Sequence, residues 1–310
     1  MVQTTRVTRT LLLSLLACSP QRDPAELFGP AEVGVLVVDA QLIVGEPLPE
    51  VFLRRTAAPG ATYEAVDQGV LTADMVIRYT NGETVYRADP DSAGRFLPAG
   101  DTPLVAPRAL YELSVAVGEE HLSAQTRTPG SVRVREAVLL DVGSLEIRRH
   151  LALFGASSDV FAAQENQVVY QDGVLEVRTD IVQDAAGYQL ALFSLDLESD
   201  FVIDADFLEA DDYAEFERQG SSPVLDGADG RIRLPWFAVA FAGRYIWRTY
   251  VLDRNWYDFA RTDPEDGGGF GGLAGDSFQR PSFHVEGGIG LFGSAAVDSV
   301  GFVVAPRPEP

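Results

Sequence analysis

Lysine is missing from all 310 residues, and cysteine occurs once, at position 18. A single cysteine excludes an internal disulfide, so the fold rests on buried apolar surface, which a hydrophobic content of 46% can supply. Three histidines, His121, His150 and His284, stand far apart with no second histidine or cysteine at ligand spacing, which argues against a zinc site. All 24 cationic side chains are arginine, against 46 carboxylates. The resulting net charge of −22 repels nucleic-acid phosphates and anionic lipid surfaces, so nucleic-acid binding is excluded. No segment approaches the roughly 18–20 apolar residues that a membrane-spanning helix requires. The alternating strands are too few and too irregular for a porin-like barrel. No serine lies in a Gly-x-Ser-x-Gly elbow. Carboxylate pairs are so abundant that they say nothing about glycoside hydrolysis.

The lone cysteine is placed where its chemistry has a use. Arg6 and Arg9 form a cationic leader, Leu11 to Ala17 an apolar stretch, and the small Ala17 precedes Cys18. That order reads as a lipoprotein signal, with residues 1–17 removed and a lipid carried on the Cys18 thiol. Residues 18–30, polar and proline-bearing, suit a tether. Ser19 follows the cysteine where an aspartate would retain it, which favours onward transport to the outer membrane. A membrane, reached through Cys18, is therefore the first expected partner.

Beyond the tether the pattern is strand-like. Val33 to Val44 is rich in β-branched residues. Met75, Ile77 and Tyr79 alternate on one face before Asn81-Gly82, a hairpin signal, and Thr84 to Tyr86 returns. Tyr111, Leu113, Val115 and Val117 alternate again, followed after Gly118 by Leu122, Ala124 and Thr126. Period two with closely spaced turns predicts an antiparallel, immunoglobulin- or transthyretin-like sandwich over residues 31–129, with Thr128-Pro129-Gly130 as its boundary. A larger β-rich domain is expected over 131–306. There, Asp172-Gly173 signals a hairpin between Val168 to Tyr170 and Val174 to Val177, and Tyr245 and Trp247 share a face toward the core. The weak apolar stripe of Phe207, Leu208, Tyr213 and Phe216 marks one helical candidate, Asp206 to Arg218. No internal repeat of fixed period is found. The fold class expected is all-β.

Several segments carry a likeness to a known family. They are Pro47 to Thr56, Ala73 to Tyr79, Tyr111 to Val115, Leu122 to Pro129 and, most specific, Phe283 to Gly293. Through them the chain resembles the uncharacterised Gram-negative lipoproteins of the domain-of-unknown-function family 4249 over most of its mature length. It departs at Ala109, where the family tends to have glycine, and in the acidic stretch around 196–217. The resemblance implies an outer-membrane lipoprotein beside TonB-dependent uptake systems, and brings no catalytic residues with it.

Four clusters are candidates for function. Gly288-x-Gly290-x-x-Gly293 matches the dinucleotide-binding pattern, but a strand-like run follows it where that motif needs a helix. Gly287, Gly288, Gly290 and Gly293 are read instead as a turn needing backbone freedom or close approach. His284, Glu286 and Asp298 lie nearby, as solvated strand residues or as the lining of a pocket. Between Asp196 and Glu217 ten carboxylates crowd together; a hard cation takes such oxygens, but EF-hand spacing is lacking and a solvated acidic face is the expectation. Trp256, Tyr257 and Phe259, beside Arg254 and Arg261, offer either a ligand- or partner-binding patch or part of the core. The expectation drawn from all this is a non-enzymatic outer-membrane lipoprotein, with no cofactor or metal, binding a nutrient or partner beside a TonB-dependent receptor. A surface structural or adhesion protein and a carbohydrate-active hydrolase are the alternatives.

Overall fold

The computed structural model describes residues 33–58, 62, 64–155, 159–197, 199–203, 217–225, 229–262 and 282–307. Cys18 and its tether, most of the acidic stretch, the helical candidate apart from Glu217 and Arg218, and the glycine-rich run after Thr262 lie outside the described residues.

Alternation sets the first half. In β1 (Leu36–Ile43) the side chains of Leu36, Val38, Ala40 and Leu42 are buried and those between them are not. β2 (Val51–Arg55), β3 (Asp74–Tyr79), β4 (Gly82–Ala88), β5 (Arg95–Pro98), β6 (Leu110–Val117) and β7 (Glu120–Arg127) repeat the pattern. Their spatial order is β1-β2-β5-β4-β3-β6-β7, every neighbouring pair antiparallel. One face of each strand contributes to a single core around Val38, Leu53, Ile77, Phe96 and Leu113, so the sheet must curl around it. The β3–β4 turn falls one residue earlier than Asn81-Gly82 suggests. Tyr79 pairs with Gly82, leaving Thr80 and Asn81 at the tip.

The second half has two sheets. β8 (Val134–Leu140), β9 (Ile147–His150), β11 (Val174–Thr179) and β14 (Arg231–Leu234) form one, ordered β14-β11-β8-β9. Facing it across a second core are β12 (Gly187–Ser194), β13 (Gln219–Ser221), β15 (Gly243–Leu252) and β10 (Gln167–Val169) with the final strand. Tyr245 and Trp247 are both buried in that core, with Tyr245 stacked on Phe302 at 5.6 Å. The Asp172-Gly173 turn does not close a hairpin. β10 pairs with the final strand while β11 pairs with β8 and β14, so the chain crosses there from one sheet to the other. Local turn chemistry permits the reversal, but Val168 and Leu175 are buried from strands that pair in different sheets.

β16 (Val285–Glu286) and β17 (Ile289–Ala305) join the halves. β17 runs parallel to β1 from Ile289 to Ala295, then antiparallel to β15 as far as Val304. Phe292 is buried in the first core and Phe302 in the second. The architecture is all-β, one large mixed sheet and a second smaller one, with the last strand serving both units. The expected boundary at Thr128 to Gly130 is buried and pinned: the Gly130 amide donates to the Asp184 carboxylate at 3.1 Å, and Arg108 pairs with the same aspartate at 3.2 Å.

Candidate functional site

After β15 the chain makes α1 (Arg254–Thr262), the one α-helix among the described residues and one the sequence reading did not anticipate. Its inward side carries Trp256, Tyr257 and Ala260, positions that a 3.6-residue period gathers on one face. Trp256 and Tyr257 are thus buried and form no exposed aromatic patch, whereas Arg254 is exposed and Phe259 half-buried. Tyr257 packs against the start of β12, where a Cβ on Gly187 would overlap its ring.

Asp253 fastens the helix to the sheet. Its Oδ1 accepts from the amides of Trp256 and Ser294, both at 3.0 Å, and its Oδ2 accepts from the Thr126 hydroxyl at 2.5 Å. With the Thr126 proton committed there, the Ser294 hydroxyl donates to Thr126 Oγ1 at 2.8 Å. Burial pushes the Asp253 carboxyl above its ordinary pKa, against the pull of these donors. Asn255 adds bonds from its Nδ2 to the carbonyls of Gln125 and Phe292. Helix, β7 and β17 meet at this junction, and a cleft opens on each side of the helix.

The larger cleft, about 870 Å³, lies over the outer face of β6 and β7. Cross-strand pairing sets its floor: Arg78 opposes Glu112, Glu112 opposes Gln125, and Ser114 opposes Ser123. Arg127, Arg254, Asn255, Phe283, His284 and Glu286 form its rim. His284 Nε2 lies 2.8 Å from Asp258 Oδ2, which also accepts from Arg254 Nε at 2.8 Å. Although burial opposes it, these two partners hold the Asp258 carboxyl below its ordinary pKa. Arg127 has no carboxylate partner among the described residues. His284 and Glu286 therefore line a cleft, whereas Asp298 does not; its carboxylate accepts from the amides of Val134 and Ser299.

On the helix's other side a groove of about 440 Å³ runs between α1, β1, β12 and β15. Trp256 and Phe259 reach it, beside Tyr250, whose ring centroid is 5.8 Å from that of Trp256. Gln41, Glu46, Gln189 and Arg248 supply its polar groups.

The glycines act in the frame of both clefts. Gly287 and Gly290 have φ of +75° and +117°, conformations that side chains rarely adopt. A Cβ on Gly290 would collide with the Val38 carbonyl, and one on Gly293 would lie 3.0 Å from Trp256 Cβ. A Cβ on Gly288 would lie 2.7 Å from the Leu36 carbonyl. Close strand and helix approach explains the motif, and a strand follows it, not the helix of a dinucleotide site. Of the acidic stretch, Asp196, Asp200 and Glu217 are described, and Asp196 is held by Arg244, at 2.6 and 2.9 Å through the guanidinium and 2.7 Å through the amide. Arg244 holds its carboxyl below the ordinary range. No group of three or more potential metal ligands occurs among the described residues.

Glu112, Gln125 and Arg127 escaped the sequence reading, because outward positions of alternating strands look like ordinary solvated surface. Gln41, Glu46, Gln189 and Arg248 come from four separate segments and share no sequence signal. No family model matches the chain, and no curated protein matches it.

Proposed function

We propose that the chain is a non-catalytic, lipid-anchored binding protein of the outer membrane, working beside a TonB-dependent uptake system and taking a sugar or short glycan in the cleft over β6 and β7. The observation that supports a polyhydroxylated ligand is the mixture of groups in that cleft. Arginine, amide and hydroxyl donors alternate with carboxylate and amide acceptors, which suits hydroxyls that both donate and accept. The half-buried Phe283 at the rim offers a sugar ring an apolar face. The membrane part of the reading rests on Cys18 and the sequence segments of the family resemblance.

Thermal denaturation of the purified protein against a panel of oligosaccharides tests the ligand. A saccharide at 100 times its Kd adds about 2.7 kcal/mol of stability, and Arg127→Ala or Gln125→Ala weakens binding roughly tenfold through a lost hydrogen bond. If no saccharide raises the transition, the glycan reading fails and the structural or adhesive alternative takes its place. Hydrolysis of a bound glycan, lost in Glu112→Gln, would overturn the non-catalytic part. Cell fractionation tests the anchor: Cys18→Ala should move the protein out of the membrane fraction, and unchanged localisation refutes the lipid.

A further inference from the structure

The groove on the far side of α1 has a different chemistry from the glycan cleft. Its volume of about 440 Å³ falls within the approximate 300–1,000 Å³ range of small-ligand sites. Two opposite charges line it, Arg248 on β15 and Glu46 just beyond β1, and they are not paired with each other. Neither forms an ion pair with any other described residue; the Arg248 guanidinium instead sits 4.8 Å from the centre of the Phe193 ring. β17 runs between β15 and β1, so Arg248 and Glu46 approach the groove from two elements that are not neighbours in the sheet. The groove between them has room for a small molecule. Tyr250 and Trp256 give the groove an aromatic wall, and Gln189, whose Nε2 donates to the Ser222 carbonyl at 3.1 Å, keeps its amide oxygen for a donor.

We propose that this groove is a second binding site, for a small zwitterion bearing a flat apolar group: an aromatic amino acid, free or at the end of a short peptide. Arg248 takes the carboxylate through its paired N–H groups, as the guanidinium fork does best. Glu46 accepts from the ammonium group, and Tyr250 and Trp256 pack against the ring. The site is independent of the glycan cleft, because α1 separates the two.

The test is titration of the purified protein with L-phenylalanine, which leaves the tryptophan emission of the protein free to report on Trp256. Saturable change in emission below about 10 mM is expected, a range of weak but specific affinity. Phenylalaninamide, which lacks the carboxylate, and the Arg248→Gln variant should each bind roughly tenfold or more weakly. Glu46→Gln should weaken L-phenylalanine while leaving N-acetylphenylalanine unaffected. Far-ultraviolet circular dichroism and a retained cooperative thermal transition establish that each variant is folded. No saturable response, or equal affinity for acid and amide, overturns the proposal, as does a groove that responds to saccharides alone.

Discussion

Two buried carboxylates, Glu176 and Asp253, show how one functional group takes opposite roles. Glu176 stands on β11 with its side chain almost wholly covered, between Arg178 at 2.8 Å and Arg233 at 2.9 Å. Burial works against its ionisation, but the two guanidiniums prevail and hold it below its ordinary value. Its stabilisation is therefore complete above pH 4.5 and is lost as pH falls through the lowered pKa. Glu176→Gln should cost roughly 1–3 kcal/mol at neutral pH, tempered because both arginines can rehydrate. In urea titrations the gap to wild type should narrow progressively as pH falls below 4.5, and a gap that does not narrow in acid would count against the ion pairs. Asp253 has the reverse sign. Its raised pKa means the fold favours the protonated form, so this group's contribution falls as pH rises from 3.8 through the folded pKa.

Among the elements, α1 and β17 decide most. Asp253 caps the helix and satisfies three donors, two of them amides and one the Thr126 hydroxyl. Asp253→Ala removes the cap and strands buried donors, a loss of roughly 2–4 kcal/mol. Asp253→Asn keeps an acceptor and should lose less; a chemical-denaturation series in which Asn is as damaging as Ala would refute this account. β17 supplies the partner of β1 over seven residue pairs and Phe292 to the first core. A fragment spanning residues 31–130 contains every strand of the first unit except β16 and β17. It is expected to remain unfolded by one-dimensional proton NMR, because β1 keeps an open edge and the core a missing aromatic. Dispersed methyl and amide signals from the fragment would show that the first unit folds alone.

Across the whole molecule, 46 carboxylates against 24 arginines leave a self-repulsion that no single ion pair cancels. Many of the arginines are spent in surface pairs such as Arg135 with Asp180 and Arg148 with Asp172, each worth little alone. Raising ionic strength screens those attractions and the net repulsion together. With a charge of −22 the repulsion should dominate, so the thermal midpoint is expected to rise by a few degrees between about 0.02 and 0.5 M sodium chloride. A midpoint that falls with salt would assign more stability to the pairs than to the relief of repulsion.

The sequence alone determined the all-β class, the strands β1, β3, β4, β6 and β7, and the core placement of Tyr245 and Trp247. Each is written in period-two alternation or turn residues, which act over a few positions. It also carries the expectation of an anchor at Cys18, which is a local chemical signal. Only the tertiary structure decided that β17 belongs to both units, that Asp172-Gly173 crosses between sheets, and that Trp256 is a buried helix residue at the edge of a groove. The two clefts are of the same kind. Glu112 and Gln125 become neighbours of Arg254 because β7, β17 and α1 meet at Asp253, and Glu46 comes to face a groove shared with Arg248 through β17. Such juxtapositions depend on contacts between residues more than a hundred positions apart, and no local pattern encodes them.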